Sequence, residues 1–104
     1  PLSHLMEDVA DCDILINATP LGMSCCESFN SLAFLQKLNP SALVCDMVYM
    51  PRETELLKAA RALGIDTVEG IEMLIGQGFA AFVIWTGILP SDLLKRDLYI
   101  KICK

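Results

Sequence analysis

The chain has 104 residues, of which 54% are apolar and 20% charged, enough for one small domain with its own core. A composition this apolar excludes a disordered chain, and a net charge of −5 without a cluster of Lys and Arg argues against nucleic acid as a partner. The five Cys residues form no C-x-x-C pair and there is a single His, so free thiols in a reducing cytoplasm are expected rather than a disulfide framework or a metal site. Because the sequence starts at Pro1 with neither Met nor a leader, we expect a piece of a longer protein.

The first half of the chain predicts a helix, a strand, a loop and a second, short helix. Apolar residues recur at helical spacing up to Val9, and Asp13–Asn17 has the length and composition of a short buried strand. Pro, Gly, Ser and Asn residues indicate a loop over Ala18–Asn30. A short helix is expected over Ser31–Leu38, because an Asn-Pro pair follows and stops it.

The second half continues this alternation of strands and helices. Strands are predicted over Leu43–Val48 and Ile65–Glu69. Between them, Pro51 suits the first position of a helix, and Gly64 is placed to end that helix. A long apolar helix follows over Gly70–Trp85.

The apolar stretch Ile71–Leu89 leaves two interpretations open. Its length is close to the roughly 20 residues that a membrane helix needs. However, Glu72, Gln77 and three Gly residues interrupt it and no basic flank precedes it, so a helix buried between domains is preferred. An amphipathic helix from about Ser91 completes the chain.

Strands that alternate with helices predict a parallel sheet with right-handed crossovers. We therefore expect an α/β fold with a partial Rossmann-like parallel sheet of about three strands, flanked by helices and ending in two C-terminal helices. The chain 1–104 is expected to be a single partial domain, in which 1–69 contains the sheet and 70–104 the C-terminal helices.

Polar or unusual residues follow each predicted strand. Asn17 and Thr19 lie after the first strand, Tyr49 after the second and Gly70 after the third, and Gln77 lies two helical turns further on. Ligands of open parallel sheets bind outside the carboxyl ends of the strands, so these residues form a candidate site. Each also has a structural explanation, because Asn and Thr before Pro build turns and a Gly at the start of a helix can serve local geometry. The residues alone leave both interpretations open.

Three blocks of the sequence resemble the shikimate dehydrogenase family. Asp13–Met23 is similar to the family's strand-and-loop motif, Asp46–Tyr49 to its next block, and Gly70–Gln77, continued to Gly87, to its C-terminal helix. The blocks follow the family order and cover nearly the whole chain. The resemblance implies the C-terminal portion of an NADP-dependent oxidoreductase of aromatic amino acid biosynthesis, which interconverts 3-dehydroshikimate and shikimate in the cytoplasm. That portion is the second half of the NADP-binding domain with the C-terminal helices.

The resemblance also implies roles for individual residues. The implied cofactor is NADP, with NAD not excluded, and the residues that would bind it are Asn17, Ala18, Thr19, Met47, Gly70 and Met73. The residues that would bind the substrate, shikimate or 3-dehydroshikimate, are Tyr49 and Gln77. The family's catalytic Lys–Asp pair and its Gly-rich phosphate turn have no counterpart in these 104 residues, so no catalytic residue is assigned and the chain alone is expected to be inactive.

Two further interpretations fit the residues. The chain could be a stand-alone, non-catalytic α/β module that binds a nucleotide or a partner through the same edge. It could also belong to another two-domain dehydrogenase, of the methylenetetrahydrofolate dehydrogenase or glutamyl-tRNA reductase type, although Gln77 in its block favours the shikimate family.

The expected partner is a small-molecule substrate, with neither nucleic acid nor a membrane. An incomplete sheet would expose an apolar strand edge, so self-association through that edge is also expected. The neighbouring Cys25 and Cys26 suggest a redox switch, but no residue near them in the sequence lowers a thiol pKa, and two Cys residues in one loop need no function.

Overall fold

A parallel β-sheet forms the centre of the first part of the chain. The computed structural model describes residues 4–102, and its strands are β1 (Ile14–Asn17), β2 (Leu43–Asp46) and β3 (Asp66–Val68). β2 lies in the middle, and β1 and β3 both pair with it in parallel. The expected α/β fold with a partial, three-stranded Rossmann-like sheet is therefore confirmed.

Helices precede, connect and follow the strands. They are α1 (Leu5–Asp8), a 3-10 helix (Ala33–Lys37), α2 (Glu55–Ala62), α3 (Gly70–Thr86) and α4 (Asp92–Ile102). The chain divides into two compact units, of which the first ends at Gly70 and the second begins with the next residue. The two C-terminal helices expected from the sequence are thus present as α3 and α4.

The core of the first unit forms where α2 packs against β2 and β3, and where α1 packs against the 3-10 helix. The central strand places Val44 fully inside, and α2 buries Leu56, Leu57 and Ala60 at helical spacing. The buried apolar residues of this core are Val9, Phe34, Leu35, Leu38, Ala42, Val44, Leu56, Leu57, Ala60 and Ile65. One continuous apolar cluster therefore packs against the sheet.

The predicted start at Pro51 of the helix between the second and third strands is wrong. The Met50–Pro51 peptide bond is cis, and α2 begins only at Glu55. Thr54 has an extended backbone and its side-chain oxygen accepts a hydrogen bond from the Leu57 amide at 3.3 Å, so Thr54 is the N-cap. A hydroxyl that satisfies an otherwise unpaired amide determines the start of this helix more strongly than the φ preference of a proline. The predicted end is confirmed, since Gly64 has a φ of 75° just beyond the last turn.

Other boundaries differ by a few residues. The short helix predicted over 31–38 is a 3-10 helix of five residues. β2 ends at Asp46 rather than at Val48, because the Val48 amide bonds to the Asp46 side chain instead of to a neighbouring strand. Strand ends therefore depend on side-chain bonds that apolar composition does not reveal.

The second unit consists of α3 and α4. The side-chain oxygen of Ser91 caps α4 by accepting a hydrogen bond from the Leu94 amide at 3.2 Å. Large apolar side chains remain exposed on these helices, among them Ile84 (80%) and Trp85 (82%). An open apolar cavity of about 340 Å³ lies along the two helices, lined by Leu74, Ile75, Gly78, Phe79, Phe82, Leu98 and Ile102. Along residues 4–102, no helix combines the length and the apolarity that crossing a membrane requires.

Candidate functional site

The last residues of β1 and β2 form a side-chain pair at the carboxyl edge of the sheet. The parallel register places Asn17 beside Asp46. The Asn17 Nδ2 atom donates a hydrogen bond to Asp46 Oδ1 at 3.0 Å, and the two residues are only 6% and 2% exposed. Two polar side chains are thus joined beneath the edge at which ligands of parallel sheets bind.

The Asn17 amide also builds the loop that follows β1. Its Nδ2 atom donates a second hydrogen bond to the Leu21 carbonyl at 3.1 Å. Its Oδ1 atom accepts hydrogen bonds from both the backbone amide (3.1 Å) and the hydroxyl (2.6 Å) of Thr19. All four bonds available to a carboxamide are therefore made within the loop and to Asp46. The turn-building explanation of Asn17 accounts for its side chain, and direct contact with a cofactor stays a prediction.

Asp46 is the centre of this buried network, and sequence reasoning missed it as a site residue. Its Oδ1 atom also accepts a hydrogen bond from the Val48 amide at 2.9 Å, and its Oδ2 atom accepts one from the Thr54 hydroxyl at 2.7 Å. Thr54 is fully buried. Because a buried carboxylate is costly unless it is hydrogen-bonded, these donors stabilise it in place of a cation. The available signal was that Asp46, like Asn17, is the polar residue that ends an apolar strand.

A surface cavity of about 250 Å³ lies above this network. It is lined by Ala18, Thr19, Pro20, Met23, Met47 and Val48. Three of the predicted cofactor-binding residues, Ala18, Thr19 and Met47, are therefore brought together in one wall. The contributions of Pro20, Met23 and Val48 were not singled out, although all three lie within or beside the two motifs.

Gly70 is buried against the end of β2. A Cβ atom at this position would lie 2.6 Å from the Val48 carbonyl oxygen, 2.7 Å from that of Asp46 and 2.8 Å from that of Met47. Only glycine fits so close to three backbone carbonyls. The expected close approach at Gly70 is thus present, but the group that approaches is the protein's own backbone.

The remaining predicted residues, Tyr49, Met73 and Gln77, are not among those that line this cavity. Tyr49 is 44% exposed, and its hydroxyl makes no hydrogen bond to any residue between 4 and 102. Met73 and Gln77 belong to the second unit, one turn apart on α3, and both are exposed. The Gln77 Nε2 atom donates to the Leu74 carbonyl of its own helix at 3.0 Å. Because Gln77 is exposed and its Nε2 atom is hydrogen-bonded, its amide carries no burial cost.

A network of ion pairs links the segment before α2 to the residue after β3. Arg52 donates a hydrogen bond to Glu69, and Arg61 donates to both Glu69 (3.1 Å) and Glu53 (2.9 Å). The hydrogen bond from Arg52, aided by that from Arg61, holds the pKa of Glu69 below its usual value, and Glu69 raises the pKa of Arg61. Two cations balance two carboxylates, so this group is better suited to fixing α2 against β3 than to binding an anion.

Comparison with known proteins points to one family. Residues 70–92 match the model of the Shikimate 5'-dehydrogenase C-terminal domain. The shikimate dehydrogenase (NADP(+)) of Methanosarcina acetivorans is 45% identical over 98 residues, which cover 93% of this chain and 35% of that protein. This chain is related to the shikimate dehydrogenases. The resemblance stated from the sequence motifs is thereby confirmed.

Solved structures of this family's relatives share the fold. Shikimate 5-dehydrogenase from Listeria monocytogenes, in complex with shikimate and NAD, has a TM-score of 0.77 and 37% identity, covering 92% of this chain and 34% of its own. Quinate dehydrogenase from Corynebacterium glutamicum, in complex with NAD, has a TM-score of 0.76 and 39% identity, covering 95% and 34%. The chain therefore spans about a third of the length of the shikimate dehydrogenase relatives that it matches.

Proposed function

We propose that this chain is the C-terminal portion of an NADP-dependent shikimate dehydrogenase, which interconverts 3-dehydroshikimate and shikimate in the cytoplasm. In this proposal, residues 1–69 are the second half of the cofactor-binding domain and residues 70–104 its C-terminal helices. The observation that carries the proposal is the 45% identity to a shikimate dehydrogenase over 93% of the chain. The convergence of Ala18, Thr19 and Met47 on one cavity supports it.

In this proposal, the cavity at the carboxyl edge would receive the nicotinamide ring of the cofactor. Ala18, Met47 and Val48 supply apolar surface, and Thr19 stands at its side. The Thr19 hydroxyl donates to Asn17 and accepts from the Leu21 amide at 3.3 Å, so its methyl group is the part left to contact a ligand. The cofactor supplies or accepts the hydride when bound. The protein's contribution here is a wall whose shape is set beforehand by the Asn17–Asp46 pair.

Gly70, Tyr49 and Gln77 have separate roles in the proposal. The Gly70 carbonyl would accept a hydrogen bond from the carboxamide of the nicotinamide, and Gly70 itself packs against the end of β2. Tyr49 offers a hydroxyl without an internal partner among residues 4–102, which suits a hydrogen bond to a substrate hydroxyl or carboxylate. Gln77 retains a free Oε1 acceptor while its Nε2 atom bonds to Leu74. Met73 is assigned to the cofactor side.

The chain alone is proposed to be inactive. Hydride transfer needs the donor, the acceptor and a proton-transfer group held in contact. The residues that resemble the family in these 104 positions belong to cofactor and substrate binding, not to the family's Lys–Asp pair. A stand-alone binding module remains the alternative, and a test must therefore supply the missing part.

A chimera tests the proposal directly. The C-terminal third of the Methanosarcina acetivorans shikimate dehydrogenase is replaced by this chain, and shikimate-dependent reduction of NADP⁺ is followed by absorbance. We expect the chimera to be active and the chain alone to be inactive. Substitution Gln77→Ala should raise KM for shikimate, whereas Lys58→Gln, on the exposed side of α2, should leave kcat and KM unchanged. A chimera that is folded by circular dichroism but shows no turnover would remove the enzyme proposal and leave the binding module.

Quinate is the second candidate substrate. It is favoured by the 39% identity to a quinate dehydrogenase solved with NAD, which is as high as that to the shikimate-bound structure. A second chimera built on the Corynebacterium glutamicum enzyme separates the two. If this chain carries the determinants of preference, both chimeras should favour the same substrate and the same cofactor, NADP or NAD. If each chimera keeps the preference of its N-terminal parent, the chain does not determine specificity.

A further inference from the structure

Three sulfur atoms cluster on the loop that follows β1. The Cys25 Sγ atom lies 3.6 Å from the Cys26 Sγ atom, and the latter lies 3.9 Å from the Met23 Sδ atom. Both cysteines are free thiols and all three residues are exposed. The cavity wall uses Met23, but neither cysteine has a role in the proposed function.

Backbone hydrogen bonds hold these residues in place. The Cys26 amide donates to the Met23 carbonyl at 3.0 Å, and the Met23 amide donates to the Pro20 carbonyl at 3.0 Å. The loop is closed by a bond from the Gly22 amide to the Glu27 carbonyl at 2.8 Å. The backbone turn therefore brings the three side chains together, and weak S–H···S hydrogen bonds join Cys25 to Cys26 and Cys26 to Met23.

The spacing of the sulfur atoms matches that of ligands around one metal ion. Sulfur atoms bound at about 2.3 Å from a shared ion lie about 3.8 Å apart in tetrahedral geometry and about 4.0 Å apart in trigonal geometry. The two separations from the Cys26 Sγ atom, 3.6 Å to Cys25 and 3.9 Å to Met23, lie close to these values. A disulfide, by contrast, would require the two Sγ atoms to approach to about 2.05 Å.

We propose that Cys25, Cys26 and Met23 form a binding site for a soft, thiophilic ion, Cu(I). Thiolate and thioether ligands select Cu(I), whereas a closed zinc site needs four N, S or O ligands. Within residues 4–102, no group of three or more His, Cys, Asp or Glu is arranged to hold a metal. The third ligand in this proposal is therefore a thioether, the Met23 Sδ atom. As each cysteine–copper bond forms, the thiol proton passes to solvent and the ion keeps its oxidation state.

The ion would also touch the cavity described above, because Met23 lines it. A thioether drawn toward copper leaves the wall beside Met47. This consequence for cofactor binding rests on the proposed function, whereas copper binding itself does not.

The test uses the reduced 104-residue chain under anaerobic conditions, with Cys103→Ser as background because that thiol lies outside the described residues. Cu(I) is titrated in competition with a colorimetric Cu(I) chelator, and the coordination shell is measured by X-ray absorption. We expect one equivalent of copper with three sulfur neighbours at about 2.3 Å. Cys25→Ser and Cys26→Ser should each weaken binding by at least roughly the 10- to 100-fold typical for loss of a supporting residue. Met23→Leu should reduce the shell to two sulfurs.

Cys12→Ser is the matched control. The Cys12 Sγ atom bonds to the Ile14 carbonyl at 3.1 Å outside this loop, and a serine can keep that bond, so copper affinity should not change. If Cys25→Ser and Cys26→Ser bind Cu(I) as tightly as the chain with the unsubstituted loop, the proposal is overturned. It is also overturned if Cys12→Ser no longer binds copper. A copper coordination shell with fewer than three sulfur atoms, measured on the chain with the unsubstituted loop, would also overturn the proposal. That measurement does not depend on the folding of a variant.

Discussion

Replacing Gly70 with alanine probes the packing at the carboxyl edge most directly. The new Cβ atom would lie 2.6–2.8 Å from the backbone oxygens of Asp46, Met47 and Val48, where ordinary contacts start at 3.4 Å. To relieve these close contacts, the start of α3 or the end of β2 must move by several tenths of an ångström. Because all three neighbours are backbone atoms, they cannot yield by a rotamer change. Overpacking of this kind typically costs about 1–3 kcal/mol.

Helix propensity acts in the opposite direction, and Gly76 provides the control that separates the two effects. An alanine in place of glycine gains about 1 kcal/mol in a helix interior. A Cβ at Gly76, in the same helix, meets nothing within 4 Å, so Gly76→Ala should raise the free energy of unfolding by up to that amount. Gly70→Ala should lower it, and because both variants share the propensity gain, they should differ by the overpacking cost alone, about 1–3 kcal/mol.

The assay is urea unfolding followed by far-UV circular dichroism, with both variants at the same pH and protein concentration. A lower midpoint at an unchanged slope would show lost stability rather than a changed unfolded state. If Gly70→Ala is as stable as the wild-type chain, the close approach of α3 to the end of β2 is not rigid and the reasoning fails. The same variant in the Methanosarcina chimera should then also keep its KM for NADP⁺.

Three further predictions concern the buried network, the surface ion pairs and the sheet edge. Asp46→Asn replaces one acceptor by a donor facing Thr54 and should cost about 1–3 kcal/mol in urea unfolding at pH 7; an unchanged midpoint would contradict the network's role. Glu69→Gln should lower the free energy of unfolding by about 1 kcal/mol or less at pH 7. Because folding lowers the pKa of Glu69, this loss of stability should be complete above pH 4.5, the unfolded-state pKa. It should disappear as the pH falls through the folded-state pKa. The edge strand β1 exposes Ile14 and Ile16 at 57% each, so sedimentation velocity should show concentration-dependent self-association, and a single monomer at all concentrations would refute it.

The sequence allowed the order of strands and helices to be predicted because each depends on local pattern. Short apolar runs identified all three strands, and the glycine at position 64 identified the end of α2. The helix start at Pro51 was predicted wrongly because the deciding interaction, Thr54 with the Leu57 amide, competes with a local preference and wins through satisfied hydrogen bonding.

The candidate site was predictable only in part, for a related reason. The family resemblance led to Ala18, Thr19 and Met47, and the parallel register brings the loops that carry them to the same edge of the sheet. The centre of the network, Asp46, was missed because its partner Asn17 lies 29 residues away on the neighbouring strand. Such pairing depends on which residues face each other across strands, and that register is set by tertiary packing rather than by local composition.

The pair of Asn17 and Asp46 also couples the loop that carries the cavity wall to the cooperative unfolding of the sheet. The amides of Thr19 and Val48 donate to these two buried side chains rather than to solvent. Opening the loop therefore requires breaking bonds that lie beneath the edge, so these amide protons should exchange as slowly as those of the strands. A ligand that enters the cavity meets a surface that is already ordered, and it loses little affinity to the entropy of arranging the loop.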